Sequence, residues 1–200
     1  MGEEHYFSEH PAAAGGRREL TVVMRGQRVR LVTEAGVFSR SRVDPGTKLL
    51  LQHMQVEKAD RVLDLGCGYG VVGVLAGLLA PEGRVTMVDI NERAAELADE
   101  NARGNGIENA EALHGDGFAP VAGRTFDVIA LNPPIRAGNA VVHRLIEEAR
   151  AHLASGGCFY LVGRTQQGVV RLAAKMAEVF AEVREVAKGG GYRLYVATLD

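Results

Sequence analysis

The chain of 200 residues is 46% hydrophobic and 24% charged, and its formal net charge is −2. This length suits one well-buried domain with a short appendage and argues against two full domains, while the near-neutral charge does not by itself indicate a nucleic-acid binder. No apolar run approaches the roughly 20 residues that span a bilayer, and the first residues lack the basic and apolar regions of a signal peptide, so we expect a cytoplasmic protein.

The amino-terminal segment carries an uneven charge. Between residues 17 and 48 there are eight basic and three acidic residues, hence a local charge of +5. The runs 20–24 and 29–33 flank a short polar turn and predict a β-hairpin. Its arginines could contact a polyanion, or they could simply keep the outer face of the hairpin solvated. We therefore divide the chain into a basic segment with a hairpin, residues 1–44, and a main domain, residues 45–200.

From Pro45 onward, predicted helices and strands alternate. Pro45 after Asp44 favours a helix start, and this helix runs to Met54. Apolar runs predict strands over residues 61–65, 84–90, 111–115, 126–131, 158–162, 183–187 and 192–198. Helices are predicted over residues 71–79, 92–105, 139–154 and 167–180. This order predicts an α/β fold with a Rossmann-like, doubly wound, mostly parallel sheet, a terminal antiparallel hairpin, and ligands at the carboxyl ends of the strands.

A glycine-rich turn follows the first of these strands. It reads Asp64-Leu65-Gly66-Cys67-Gly68-Tyr69-Gly70, and its second half also fits the G-x-G-x-x-G fingerprint of dinucleotide sites. Glycines let the backbone approach a ligand closely, although they could also merely make a tight strand-to-helix turn. The aspartate favours the cationic amino-acid end of S-adenosylmethionine, since a carboxylate there would repel a pyrophosphate. The predicted cofactor-binding residues here are Asp64, Gly66, Cys67, Gly68 and Gly70.

Each of the next two strands has an aspartate at its end. Asp89 stands where an acidic side chain accepts hydrogen bonds from both ribose hydroxyls, as it also would in an NAD protein. Asp116, beside Gly117, is a candidate for the adenine amine, with a turn-stabilising aspartate as the alternative. Ile90 or Phe118 would pack on the adenine ring. We therefore predict Asp89, Ile90, Asp116 and Gly117 as further cofactor-binding residues.

The strand over residues 126–131 leads into Asn132-Pro133-Pro134-Ile135. The Asn132 side-chain oxygen and the Pro133 carbonyl, on a backbone stiffened by two prolines, form two rigid acceptors that suit one exocyclic NH2. This pattern indicates methyl transfer onto a planar amine, with Asn132 also next to the cofactor. We predict Asn132, Pro133, Pro134 and Ile135 as catalytic, the alternative being a helix-breaking loop without catalytic meaning.

The cysteine and histidine usage does not predict a metal site. Cys67 and Cys158 lack metal-type spacing, and the six histidines are scattered. We expect both cysteines to be reduced thiols of the core.

Together, the glycine turn with Asp64, then Asp89, Asp116 and the Asn132 motif, resembles the class I S-adenosylmethionine-dependent methyltransferases. Three flanking segments extend the likeness to the "methyltransferase small" family, which includes 16S ribosomal RNA guanine-N2 methyltransferases: Gly36-Val37-Phe38-Ser39, Asp44-Pro45-Gly46-Thr47 and Ile135-Arg136-Ala137-Gly138. The resemblance implies a seven-stranded sheet with an antiparallel last strand, and S-adenosylmethionine as cofactor. It further implies an RNA substrate, with guanine-N2 of small-subunit ribosomal RNA as the first candidate.

The sequence departs from the family pattern at the base-stacking position. Many amine methyltransferases have an aromatic residue where this chain has Ile135. We predict that Phe38 stacks on the base instead, unless it is a lid packed on its own domain. Arg136 could contact a phosphate or form a surface salt bridge. Phe38 and Arg136 are thus the predicted substrate-binding residues.

The chain is also shorter than the larger ribosomal RNA members of the family, which carry an additional methyltransferase-like half. Substrate recognition would then rely on the arginine-rich hairpin or on a second subunit of a homodimer. Two other function classes stay open. One is a protein-glutamine or small-molecule N-methyltransferase, because an amide NH2 can use the same acceptor pair. The other is a noncatalytic module that binds the cofactor.

Overall fold

The computed structural model describes residues 16–37, 42–133 and 138–200. Within these ranges the main sheet has seven strands: β3 (Arg61–Leu65), β4 (Arg84–Asp89), β5 (Ala110–His114), β6 (Phe126–Leu131), β7 (Leu153–Arg164), β8 (Glu182–Gly189) and β9 (Tyr192–Thr198). Their order across the sheet is β5-β4-β3-β6-β7-β9-β8. Neighbours from β5 to β7 are parallel, and β9 is antiparallel to both β7 and β8. The predicted mostly parallel sheet with an antiparallel last strand is confirmed.

In the described ranges, five α-helices cover this sheet: α1 (Pro45–His53), α2 (Val71–Leu79), α3 (Glu92–Gly104), α4 (Asn139–Ala151) and α5 (Val169–Val179). Consecutive strand residues alternate between two core clusters, so that Val62 packs with α1, α2 and α3 while Leu63 packs with α4 and α5. Burial on both faces explains why the strands are near-continuous apolar runs. None of these helices is long and apolar enough to cross a membrane.

A two-stranded antiparallel sheet packs beside the main body. Its strands are β1 (Arg18–Met24) and β2 (Gln27–Thr33). The turn residues Arg25 and Gly26 have φ of 51° and 78°, as in the tight turns that match the twist of a hairpin. The buried side chains of Val29 and Leu31 join the core cluster of α2 and α3. The predicted amino-terminal hairpin is therefore confirmed, and it covers one helical layer.

The hairpin lies along α3, with its turn far from the carboxyl ends of the main strands. Gly36, just after β2, accepts a hydrogen bond from Asn91 before α3 (3.3 Å), whereas the backbone of Arg30 exchanges two with Asn105 just after α3 (3.0 and 2.7 Å). Arg25 donates to the carbonyl of Met54, at the end of α1 (2.8 Å). Because helices in such folds run back against the strands, the hairpin turn lies toward the amino-terminal edge of the sheet.

Two predicted boundaries are wrong beside β7. The helix predicted over residues 139–154 ends at Ala151, and the strand predicted from Cys158 begins at Leu153. The pairing of β6 with β7 shifts register between Phe126 and Val128, and Gly156 has φ of 74° in the added stretch. Glycines and bulges interrupt an apolar pattern without ending a strand, so the pattern alone misses the start of β7.

Candidate functional site

Polar side chains gather at the carboxyl ends of three adjacent strands. Asp64 of β3 pairs in register with Ala130 of β6, two residues before Asn132. Asp89 is the last residue of β4, on the other side of β3. The chain leaves β3 toward β4 and β5 but leaves β6 toward β7, so β3 and β6 flank the topological switch point, where open α/β sheets bind ligands.

Asp64 is almost fully buried, with 4% of its surface exposed. Its Oδ2 accepts a hydrogen bond from the Gly73 N–H in the first turn of α2 (2.9 Å), and its other oxygen accepts none from the described residues. Burial raises the pKa of this carboxyl to about 7, opposed by that hydrogen bond and reinforced by the charge of Asp89. A cation beside Asp64 would favour the ionised form. These surroundings suit the predicted contact with a ligand ammonium group.

The glycine-rich turn is held against β4 by its backbone. The N–H groups of Gly66 and Cys67 both donate to the Val88 carbonyl, at 2.8 and 3.0 Å. Gly66, Gly68 and Gly70 have φ of 70°, 57° and 84°, in the left-handed region that side chains disfavour. The turn therefore requires glycine at these three positions.

The glycines of this segment serve two purposes. A Cβ added at Gly66 would meet no heavy atom within 4 Å, so this backbone is open to close approach by a ligand. A Cβ at Gly70 would lie 2.9 Å from a side chain of α3, and one at Gly73 would lie 2.3 Å from a side chain of β4. Gly70 and Gly73 thus let α2 pack closely on its neighbours, whereas Gly66 fits the predicted cofactor cradle.

Both cysteines are free thiols, as predicted. Cys67 is buried in the glycine turn, and burial raises the pKa of its thiol well above the usual value. Any contact from Cys67 to a cofactor would therefore come from its backbone. Cys158 is half-buried in β7.

Asp89 anchors the glycine turn from the end of β4. It is 3% exposed, and its carboxylate accepts hydrogen bonds from the N–H groups of Gly68 (2.8 Å) and Asn91 (2.9 Å). Ile90 follows at the same edge and is half-buried. Asp89 thus links the glycine turn to the start of α3, and its contact with a ribose stays a prediction.

The side chain of Asp116 is bound to α4. It forms a bidentate ion pair with Arg144, at 2.7 and 2.9 Å, and 57% of its side chain is exposed. The next residue, Gly117, has φ of 55°. Phe118 is 3% exposed and stacks on His152, with ring centroids 4.5 Å apart, so it belongs to the core. Contacts of Asp116 and Gly117 with adenine stay predictions, and of the two predicted ring-packing residues Ile90 is the more accessible.

Asn132 is held through its amide nitrogen. Nδ2 donates to Oγ1 of Thr47 at 3.1 Å and to Oδ2 of Asp44 at 3.4 Å, at the start of α1. Because a carboxylate only accepts hydrogen bonds, the nitrogen and not the oxygen of the amide must face Asp44. The side-chain oxygen accepts no hydrogen bond from the described residues. This orientation leaves an acceptor for an external N–H.

Asp44 is the buried centre of this arrangement. Its Oδ2 accepts hydrogen bonds from the N–H groups of Gly46 (2.8 Å) and Thr47 (3.2 Å), and its Oδ1 accepts one from the hydroxyl of Tyr192 (2.8 Å). Tyr69 of the glycine turn lies close enough for its pKa, raised mainly by burial, to be raised also by Asp44, to about 12. The buried Tyr69 hydroxyl has no hydrogen-bond partner among the described residues.

The remaining predicted residues divide into two groups. Pro133 is buried beside Asn132. Pro134, Ile135, Arg136 and Phe38 lie outside the described residues, so their predicted roles stay predictions.

Three residues of this site were not predicted from the sequence. Asp44 was assigned to a helix start and, together with Thr47, to a family segment, although an aspartate before Pro45 is a typical helix cap with a fixed orientation. Tyr192 lies 148 positions from Asp44 and follows a glycine turn, so no local pattern indicates its contact.

A comparison with known families decides the identity of this fold. Residues 28–196 match the family model described as the methyltransferase small domain. The chain belongs to this family. The methyltransferase small domain thus spans most of the chain and includes β2, every helix and all but the end of the main sheet.

Three relatives show how far the similarity extends. The chain is 37% identical to the Bacillus subtilis protein YbxB over 196 residues, covering 97% of this chain and 98% of that protein. It is 38% identical over 143 residues to the ribosomal RNA large subunit methyltransferase G of Streptomyces avermitilis, covering 69% of this chain and 38% of the relative. The Thermus thermophilus 16S rRNA N2 G1207 methyltransferase, RsmC, solved with AdoMet and guanosine, superposes with a TM-score of 0.83 at 26% identity, covering 96% of this chain and 52% of RsmC.

These findings confirm the predicted resemblance and the methyltransferase class. S-adenosylmethionine is the cofactor that the family and the RsmC complex imply. The chain spans only about half of RsmC and less than half of methyltransferase G, but nearly all of YbxB. The relatives named as ribosomal RNA methyltransferases differ in the subunit whose RNA they act on: RsmC is named for 16S RNA and methyltransferase G for the large subunit.

Proposed function

We propose that this protein is an S-adenosylmethionine-dependent N-methyltransferase that acts on an exocyclic amine of a ribosomal RNA base, with guanine-N2 of small-subunit RNA as the first candidate. The observation that carries the proposal is the orientation of Asn132. Its amide nitrogen is engaged by Thr47 and Asp44, so its oxygen is available to a substrate amine. It lies one strand away from Asp64 and the glycine turn, where the cofactor residues are predicted.

The residues present fit the predicted cofactor. Asp64 has one oxygen that accepts no hydrogen bond from the described residues, and the Gly66 backbone is open to close approach. Asp64 would hold the ammonium group, and Asp89 would hold the ribose while keeping the turn in place. When bound, S-adenosylmethionine supplies an electrophilic methyl group. Methyl transfer therefore needs a nucleophilic amine placed in line with the methyl–sulfur bond.

Asn132 and the Pro133 carbonyl would orient that amine. The lone pair of an aromatic amine is delocalised into its ring, which makes the amine a weak nucleophile. Two hydrogen bonds from its N–H groups to rigid acceptors favour a pyramidal nitrogen with its lone pair aimed at the methyl carbon. The nitrogen–carbon bond forms as the carbon–sulfur bond breaks, and the electron pair stays on sulfur. The nitrogen becomes cationic and then releases its proton to water, so a strong general base is not required.

The RNA assignment rests on the relatives. RsmC is named as a methyltransferase of guanine N2 in 16S RNA and matches 96% of this chain in structure. The relatives named large-subunit methyltransferase G have 34–38% sequence identity, which favours a base of the large subunit as the second candidate. Both candidates use the same acceptor pair at Asn132.

The test is transfer of labelled methyl to undermethylated small and large ribosomal subunits and to their extracted RNAs. We expect incorporation into the RNA of one subunit and a drop in turnover of about 100-fold or more for Asn132→Ala, with cofactor affinity retained. Asn139→Ala, an exposed asparagine at the start of α4, is the matched control and should keep full activity. Label in neither RNA, but in a release factor or a small-molecule amine, would overturn the RNA assignment.

A further inference from the structure

Three exposed cations lie at the carboxyl-terminal edge of the sheet, on the side of Asn132 away from the predicted cofactor residues. They come from three separate parts of the chain: Lys48, Arg164 and Lys188, which we call the basic rim. Arg164 ends β7 and pairs in register with Tyr192, the first residue of β9. Gly189, next to Lys188, pairs with the same tyrosine and lies beside Leu49 of α1. The fold thus brings Lys48, from the basic amino-terminal segment, together with two cations from far later in the chain.

Two cations of the basic rim, Arg164 and Lys48, are linked to Asn132 through intervening residues. The Arg164 guanidinium carbon lies 4.8 Å from the ring centroid of Tyr192. The Tyr192 hydroxyl donates to Asp44, and Asp44 accepts a hydrogen bond from Asn132. Lys48 lies in the first turn of α1, which Asp44 caps, and its N–H donates to the Asp44 carbonyl at 3.0 Å. The rim therefore borders the position where the target amine would sit.

The cations of the rim are not engaged in salt bridges. Lys48, Arg164 and Lys188 form no ion pair with a described residue, although the pKa of Glu185, lowered mainly by Arg193, is also lowered by Lys188. The nearby Glu185 is already paired with Arg193 at 2.5 Å, and Asp44 is buried among hydrogen-bond donors. At the opposite edge of the sheet, Arg61 is paired with Asp127 at 2.9 Å. Unpaired exposed cations beside a site attract a polyanion.

The contacts of the hairpin arginines lie away from Asn132. Arg25 is bound to the Met54 carbonyl, and the backbone of Arg30 is bound to Asn105, both toward the amino-terminal edge. Arg17 is bound to Glu34 and Glu100. Residues 17–48 have a local charge of +5, but the hairpin turn within this segment does not border Asn132.

We infer that the basic rim binds the phosphate backbone on either side of the target nucleotide, while the hairpin turn does not. This inference rests on the proposed function, since it names how the RNA substrate is held at the same site. The phosphates position the nucleotide without reading its sequence, and the base enters the site after it leaves its stack.

Two double charge reversals test this division of roles. Lys48→Glu with Lys188→Glu alters the rim, and Arg28→Glu with Lys58→Glu alters exposed cations on the hairpin and on the loop before β3. Each pair replaces two cations by two anions, so both take the net charge from −2 to −6. Arg164 is left intact because it contacts Tyr192. The measurements are the RNA Kd over a range of salt concentrations, methyl transfer, and the Kd for S-adenosylmethionine.

We expect the rim variant to bind RNA about tenfold or more weakly, with a salt dependence reduced by about two phosphate contacts, and the hairpin variant to stay near the wild type. Cofactor affinity should be unchanged in both, which shows that both fold. Equal losses in the two variants, or a larger loss in the hairpin variant, would overturn the inference while leaving the proposed function intact. A wild-type protein that neither binds nor methylates RNA would overturn the proposed function itself.

Discussion

At the scale of single residues, the orientation of Asn132 depends on hydrogen bonds with neighbouring side chains. Thr47 and Asp44 take its amide nitrogen, and Tyr192 holds the second oxygen of Asp44. An amide that could turn over would present nitrogen, a donor, to the substrate amine for part of the time. Thr47 and Asp44 are therefore positioning residues that keep the acceptor outward.

Thr47→Val tests this positioning role. The valine keeps the shape of a side chain that is 8% exposed but removes the hydroxyl that holds Asn132. Loss of one such hydrogen bond is worth about 1 kcal/mol, so we expect kcat to fall about fivefold with the cofactor Kd unchanged. Thr33→Val is the matched control, because the buried Thr33 hydroxyl has no hydrogen-bond partner among the described residues, and its loss should leave kcat unchanged. An unaltered kcat in Thr47→Val would refute the positioning role.

Asp64 predicts a pH dependence of cofactor binding. Its pKa is raised to about 7, and only its ionised form attracts the cofactor ammonium group. As pH rises from 6 to 8, the ionised fraction increases about tenfold, so we expect the Kd for S-adenosylmethionine to fall by about that factor. Calorimetric titration at both pH values measures this change. Asp64→Asn should bind more weakly with a Kd that no longer changes over this range, and an equally steep profile in this variant would assign the titration to another group.

At the scale of elements, the site is built where strand order reverses. Asp64 and Asn132 are far apart in sequence but lie on the adjacent strands β3 and β6, at the same edge. The starts of α1 and α2 then supply a side-chain hydroxyl and a backbone N–H to orient these two polar residues. The fold thus explains why the predicted cofactor residues and the predicted amine acceptor lie at the same edge of the sheet.

One asparagine connects the hairpin to the glycine turn. Asn101 of α3, 3% exposed, accepts from the Val32 N–H (2.6 Å) and donates to the carbonyls of Val32 (2.9 Å) and Tyr69 (2.8 Å). Asn101→Ala would leave these backbone groups without partners, so we expect a loss of about 3 kcal/mol in the free energy of unfolding. The measurement is urea denaturation, with Asn105→Ala, a more exposed contact to β2, as the control that should lose about 1 kcal/mol. Equal losses of unfolding free energy in the two variants would mean that the burial of Asn101 adds no stability.

The elements were predictable from the sequence to different degrees. The helix start at Pro45 and the bounds of α2 follow directly from capping and apolar patterns, since local interactions determine them. The early start of β7 does not follow from such patterns. Gly156 and Gly157 interrupt the apolar run, and only the pairing with β6 identifies residues before Cys158 as part of the strand. Thr47 and Tyr192 were missed for a related reason, because their roles arise from contacts with Asn132 and Asp44 across 85 and 148 positions.

At the scale of the whole molecule, the hairpin and the main sheet share one core. Val29 and Leu31 of β2 pack in the same cluster as Val62 of β3. The proposed boundary at residue 44 therefore separates segments by charge and topology, and not by independent cores. A homodimer stays a prediction, as does a cytoplasmic location.

Charge is also divided across the whole molecule, and not only along the sequence. Net charge is −2, yet the edge that carries Asn132 has unpaired cations from α1, β7 and β8, while Glu34, Glu96 and Glu100 cluster around Arg17 and Arg93 beside α3. A substrate with phosphates would therefore approach from the β7–β8 side and the cofactor from the β3–β4 side.

The central claim is that the chain transfers a methyl group to an exocyclic base amine held by Asn132. The most direct measurement is mass spectrometry of the nucleosides from undermethylated ribosomal RNA after incubation with the protein and S-adenosylmethionine. We predict N2-methylguanosine as the new nucleoside, absent with Asn132→Ala and present with Asn139→Ala. A methyl group on a ring nitrogen, a carbon or a ribose oxygen, or a product that persists in Asn132→Ala, would contradict the claim.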